Sequence, residues 1–375
     1  MLFALRTKAL YLLELSEVSA RASIDITLGS AKIPKKTLAV FCTQFASILK
    51  AGVPLVQAIN ILTEQTEHKQ LKKILISVSD DLQSGRGFAE ALSSHEKALP
   101  SIMIKLIEAG EMSGTLDLSL QRLATQFEKD YKLQRKIKSA MSYPMIVSII
   151  AVLVVVFLLV VIIPKFTSLF EGLGAEVPAI TKFMLSLSDA VVHGWMYILG
   201  FIVLFVACFK FYKSSAKGQL QLDNAKLKLP VVRKAMVRIL AARFARTLAT
   251  LTSSGVSLTQ SLRIGSKVVA NKVAENKLLD IEEQIKRGKT LHSAISSETI
   301  FPKMLMHMVK IGEESGTLDQ MLEKAADYFE EEAEESITKL TSLLQPILLI
   351  FVAVIVLLII LSVMLPIFSL YSSIQ

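Results

Sequence analysis

From Met145 to Ile163 the chain carries no charged side chain and is nearly all Ile, Val, Leu and Phe. Each such residue contributes roughly −0.3 to −0.6 kcal/mol at the centre of an inserting helix, so this stretch enters a bilayer unaided. A second uncharged run spans Pro346 to Leu365. A third, weaker candidate covers about Trp195 to Phe211. Trp195 and Tyr197 suit one interface, Tyr212 and Lys213 the other, and Gly200 interrupts it. None of these runs places an ionisable residue in its middle, which argues against an ion-coupled transporter, a class that needs such groups despite their cost.

The rest of the chain is polar. Apolar residues make up 52% of the 375 and charged residues 20%, too apolar for a soluble protein and too charged for one wholly in the membrane. The formal charge is +9, with cations gathered beside the apolar runs and no basic patch interleaved with aromatics. Anionic lipid is therefore the expected partner, and nucleic acid is not.

An internal duplication organises everything else. The stretch from Phe45 to Leu55 recurs as Leu248 to Leu258, with Gly52 mapping to Gly255. The octet from Gly110 to Asp117 (GEMSGTLD) recurs from Gly312 to Asp319 (GEESGTLD). Pro144 opens the first span and Pro346 the third. Pro164 with Phe166 closes the first, and Pro366 with Phe368 closes the third. The repeated unit is thus a polar domain plus its own span. Two such units joined directly would face opposite sides of a bilayer, and the unrepeated middle span returns both to one side.

Lysine and arginine set the orientation. Lys129, Lys132, Arg135, Lys136 and Lys138 precede the first span, and Lys210, Lys213 and Lys217 follow the second. The connector carries only Lys165 and Lys182. Both domains and the N-terminus are expected in the cytoplasm, with the connector and C-terminus outside. The expected boundaries are a lead-in at 1–37, a first domain at 38–142 and a span at 143–164. An outer loop at 165–194 and a span at 195–212 follow, then a second domain at 213–343, a span at 344–366 and a tail at 367–375.

Within the domains the period is helical. Leu38, Phe41, Phe45, Ile48 and Leu49 line one face, and Leu116, Leu120, Leu123 and Phe127 line a helix expected to run on into the first span. No period-2 strand of useful length occurs. The fold class is an all-α membrane protein with two repeated bundles of about five to seven helices and three transmembrane helices.

The repeated octets are the sharpest local signal: Gly110, Glu111, Ser113, Gly114 and Asp117, then Gly312, Glu313, Ser315, Gly316 and Asp319. On one reading they are helix–turn–helix joints. Gly110 ends a helix at positive φ, Ser113 or Thr115 caps the next, Asp117 suits its dipole, and Glu111 accepts N–H bonds in the turn. On the other reading Glu111 and Glu313 also contact a partner or a cation. The acidic run Glu330, Glu331, Glu332, Glu334 and Glu335 stands where the first copy is basic. It is either a solvated face or a dock for a basic partner, with the first helix on anionic lipid. Cys42 and Cys208 read as buried fillers. The five histidines make no ligand spacing, and no nucleotide-binding or nucleophile motif occurs, so no cofactor, metal or catalytic residue is expected.

These features, two helical domains each with G-[VIL]-x-L early and GExSGxLD later, resemble the type II secretion system F family over residues 38–370. Tyr143 with Pro144, Pro164 with Phe166, and Pro178 with Thr181 match that pattern as well. The resemblance implies a non-enzymatic inner-membrane platform for a type IV pilus or a type II secretion pseudopilus. Implied partners are a hexameric assembly ATPase, pilin or pseudopilin subunits, other inner-membrane assembly proteins and further copies of the chain. Some relatives bind calcium in the first domain, but Thr115 gives Glu111 no second carboxylate one turn on. A transporter or channel component is the rival reading.

Overall fold

The computed structural model describes residues 32–165 and 179–373. Most of the lead-in, and the part of the connector holding Gly172 to Pro178, lie outside them. All regular structure among the described residues is helical.

The first bundle comprises α1 (Lys35–Lys50), α2 (Leu55–Gln65), α3 (Lys69–Gln83), α4 (Phe88–Ser93), α5 (Ser101–Ser113) and the start of α6 (Leu116–Phe157). Leu38, Phe41, Cys42 and Phe45 are the buried face of α1. Phe45 meets Phe41 and Phe88 with ring centroids 5.5 Å apart in each pair. Burial pushes the Cys42 thiol well above its ordinary range. Gly52 lies just beyond α1 at φ +83°, a conformation that a Cβ disfavours, and its counterpart Gly255 has φ +80°.

After α7 (Ala179–Ser214) and α8 (Ala216–Lys228), the second bundle repeats the plan. It consists of α9 (Pro230–Thr252), α10 (Leu258–Val268), α11 (Lys272–Lys286), α12 (Leu291–Ser296), α13 (Lys303–Ser315) and the start of α14 (Leu318–Ser373). Its core surrounds Phe244, which packs on Phe301 at 4.9 Å. The two cores touch, because Leu251 and Ile264 of the second bundle are buried with the first.

Among the described residues three helices are long and apolar enough to cross a membrane, and their apolar parts are little covered. As expected for the first span, the last helix of each bundle runs on into the span it feeds, and Pro144 and Pro346 stand where the uncharged runs begin without breaking that rod. Two expectations need correction. The connector, expected as an outer loop to residue 194, is helical from Ala179, in one piece with the second span. Cys208, expected to be buried, is exposed on that helix.

The three rods are joined at one end by side chain to backbone bonds. A π turn, Leu158–Ile162, continues α6. Such turns disturb the regular ladder and expose carbonyls. Ser188 Oγ on α7 donates to the Leu159 carbonyl at 2.7 Å, and Thr181 Oγ1 donates to the Ser362 carbonyl at 2.7 Å. Leu159, Ile163 and Met184 pack beside them. A hydroxyl paired in this way is tolerated among apolar helices.

Candidate functional site

Two arrangements stand out: a joint present in both bundles and a charged seam between them. The joint is built from the octets. Gly110 and Gly312 do not end helices at positive φ. They sit inside α5 and α13, and the residues that do end them are Gly114 (φ +70°) and Gly316 (φ +69°). Gly110 and Gly312 are required for a different reason, the approach of the next helix. A Cβ on Gly110 would lie 3.1 Å from Leu116 Cα, and one on Gly312 would lie 2.8 Å from Leu318 Cα. Their carbonyls close the turn: Thr115 N–H donates to Gly110 O at 2.8 Å, and Thr317 N–H to Gly312 O at 2.9 Å.

The serines also differ from expectation. Ser113 Oγ donates back to Ala109 O at 2.8 Å, and Ser315 Oγ to Ile311 O at 2.7 Å, and α6 has no side-chain cap. Asp117 and Asp319 do occupy the first turns of α6 and α14, where a negative charge suits the helix dipole.

Glu111 acts at a distance. Its Oε1 accepts from Phe88 N–H at 2.6 Å and its Oε2 from Ala89 N–H at 2.8 Å, the open N-terminus of α4. Glu313 does the same for α12, accepting from Leu291 N–H at 2.5 Å and His292 N–H at 2.7 Å. Gly87 leaves room for this in the first copy, since a Cβ there would lie 3.3 Å from Glu111 Oε1. A six-residue helix has too few internal bonds to hold itself, so the carboxylate from the joint ties it to the bundle. Both oxygens are thereby engaged within the chain. Among the described residues no group of three or more His, Cys, Asp or Glu is placed to hold a metal ion.

The charged seam corrects the reading of the two runs. They are neither simply solvated nor turned to separate partners, because they face each other. Lys129 Nζ on α6 lies 2.9 Å from Glu330 Oε2 and 3.2 Å from Asp327 Oδ1 on α14. Lys136 reaches Glu334 at 3.6 Å. From α9, Arg246 Nε bonds Glu330 Oε1 at 2.9 Å and its NH2 also pairs with Asp327, while Arg238 Nε meets Glu332 at 2.7 Å. Below them Leu133, Ile239, Ala333 and Ile337 form a small apolar cluster. Further up, Arg122 NH1 donates to Ser254 Oγ at 2.7 Å and Thr250 Oγ1 to Gln126 Oε1 at 3.3 Å.

Arg246 anchors this seam and is only 6% exposed. Burial alone would lower its pKa, yet Glu330 and Asp327 outweigh burial and raise it. Burial likewise opposes the charged forms of Asp327 and Lys129. Arg246 and Lys129 nevertheless hold the Asp327 carboxyl below its ordinary value, and Glu330 with Asp327 raises Lys129. Arg243, on the same helix, is driven down by burial, with Asp130 opposing. Sequence reasoning passed over Arg238 and Arg246. Their signal was present, as arginines set in an Ala- and Leu-rich helix that is otherwise buried on most sides.

The comparisons agree with this duplicated layout. The family model for type II secretion system (T2SS) protein F matches residues 41–164 and 244–366. The type IV pilus assembly protein PilC of Thermus thermophilus is 37% identical over 373 residues, covering 99% of this chain and 92% of that protein. The PilC protein of Myxococcus xanthus is 35% identical, covering 94% of this chain and 84% of its own. The type II secretion system protein F of Aeromonas hydrophila is 31% identical, covering 99% and 96%.

Proposed function

This chain belongs to the type II secretion system protein F family, and from that premise we propose that it is a non-enzymatic platform in the inner membrane for assembling a type IV pilus or a secretion pseudopilus. Relatives named for pilus assembly and for type II secretion both match it along nearly its whole length. The pilus relatives quoted are the more similar, and the pilus reading is placed first.

One observation carries the mechanism: each bundle and its span share a single helix, and the two such helices are bonded to one another beside the bundles. A push on either bundle is then transmitted along a stiff rod rather than absorbed in a hinge. On this reading a hexameric cytoplasmic ATPase engages the bundles, and the rods shift so that pilin or pseudopilin subunits leave the bilayer for the filament base. Other inner-membrane assembly proteins and further copies of the chain complete the machine. On this reading the bundles and N-terminus are cytoplasmic and the C-terminus outside, which the lysine distribution supports.

Topology is tested with Gln70→Cys and Gln284→Cys. Both sites are expected to resist impermeant thiol reagents in intact cells and to react once the membrane is opened, and reaction of one alone in intact cells would overturn the arrangement. Function is tested by deletion, with loss of filaments expected while their subunits persist in the membrane. Co-purification with the motor ATPase is expected as well, and its absence from mild detergent extracts and from crosslinked membranes alike would remove the coupling role.

A further inference from the structure

The bond between Ser188 and Leu159 sets the register of α7 against α6, and this register moves the second span. Going down α7 from Ser188, 22 residues lead to Lys210. The same 22 residues down α6 from Leu159 lead to Ile137, between Lys136 and Lys138. Going up, six residues lead to Lys182 on α7 and to Lys165 on α6. One bond therefore aligns the lysines at both ends of two antiparallel rods. The 28 residues from Lys182 to Lys210 rise about 42 Å, the thickness of a bilayer with its headgroups.

The alternative register fails. With Trp195 at the outer interface, Leu159 would stand about 10 Å above the hydrocarbon, and Lys132 to Lys138 would be drawn into it. The second span therefore extends from about residue 183 to 209, and it includes Asp189 and His193. Both are exposed on α7, turned away from the face on which Thr181, Met184 and Ser188 are buried. Among the described residues neither has a hydrogen-bond or ion-pair partner.

We propose that Asp189 and His193 form an intramembrane contact site whose occupant is α7 of a second copy of this chain. An acceptor and a donor stand four residues apart on one helix face. In a two-fold pair of parallel α7 helices, Asp189 of each copy meets His193 of the other, so one patch satisfies itself twice. Lipid offers neither group a partner, and a foreign helix would have to bring both. The same face continues at seven-residue steps from Ser186 and His193 to Gly200 and Ala207, where small side chains let two backbones approach. Beyond residue 191 no residue of α7 is buried by the rest of the chain except Gly194, which is half-buried.

The test uses the full chain in native membranes with Cys42→Ala and Cys208→Ala. Gly200→Cys and Ala207→Cys are expected to give oxidative adducts of two copies, while Phe209→Cys, on the opposite face, gives none. Asp189→His and His193→Asp should each lose the Ala207→Cys adduct, and co-expressing the two variants should restore it. Restoration only when both changes share one chain would show a pair satisfied within its own helix and would overturn the proposal. So would an adduct with a different protein, or labelling of cysteines placed at 189 and 193 by an impermeant reagent from outside. Adducts are read whether or not filaments form, so this result stands apart from the assembly reading.

Discussion

In the first repeat Glu111 reaches back to the N-terminus of α4, and in the second Glu313 makes the same two bonds to α12. The helices that follow these joints start at the same place in each repeat but carry opposite charge, with Lys129 and Lys136 on α6 against Asp327, Glu330 and Glu334 on α14. What the copies kept builds each bundle. What they changed builds the contact between bundles, since two identical basic or acidic rods side by side would repel each other. The contact is also asymmetric in its third member. Arg246 on α9 completes it, while the position 203 residues earlier is Thr43, whose hydroxyl donates to Ala39 O on its own helix.

The largest expected effect separates the two joints by what a side chain would strike. Gly312→Val should cost about 3 kcal/mol, near the upper end for overpacking, because the first obstacle is the α14 backbone at Leu318. Gly110→Val should cost less, since its nearest obstacle is the Ser119 side chain, and Ser119→Gly should recover part of the loss. Thermal midpoints in detergent give the order, and equal losses would break the distinction.

Arg246→Ala comes next, at about 2–3 kcal/mol. That is less than for a fully buried pair, because Asp327 is open to water while Glu330 is not. Removing the cation leaves two carboxylates facing Lys129 alone. Crosslinking between cysteines placed at Thr125 and Ser253 should drop in this variant, and unchanged yield would show that apolar contacts hold the bundles without it.

Glu313→Ala should cost about 1–2 kcal/mol through loss of both α12 N–H bonds, and Glu111→Ala less, because Glu111 is exposed and Glu313 half-buried. Faster amide exchange confined to residues 291–293 or 88–90 would locate each effect. If exchange there stays unchanged, the short helices are held by packing instead.

The smallest effects concern pH and the outer edge of the seam. Asp327 titrates below its ordinary value, so its contribution is full above about pH 4 and fades as pH falls through the lowered value. Lys129 titrates above its ordinary value, so its contribution is full below about pH 10 and fades as pH rises through the raised one. The difference in thermal midpoint between the native chain and Arg246→Ala should therefore be flat between about pH 5 and 9, and a step inside that window would point to another group. Lys136→Ala, an exposed pair at 3.6 Å, should change stability by less than about 0.5 kcal/mol.

Much of the fold was legible because repetition and periodicity are local signals. The offset between GEMSGTLD and GEESGTLD, and the stripe from Leu38 to Leu49, need no tertiary knowledge to be read. The roles inside the octet were less legible. Gly110 and Gly114 look equally suited to a left-handed turn, and only the closeness of Leu116 separates packing from φ. Glu111 gave no hint that its partners lie more than 20 residues back along the chain, since hydrogen-bond reach is set by space rather than by spacing.

By itself the amino-acid sequence determined that this protein is helical, duplicated and threaded three times through a membrane, and it carried the family signature. Those properties follow from transfer free energy and from period, which sum over neighbours in the chain. The tertiary structure alone decided that the basic and acidic runs meet, that Arg246 joins them, and that Ser188 bonds the Leu159 carbonyl. Each is a contact between distant segments, and its strength depends on a separation of a few ångströms that no linear pattern records.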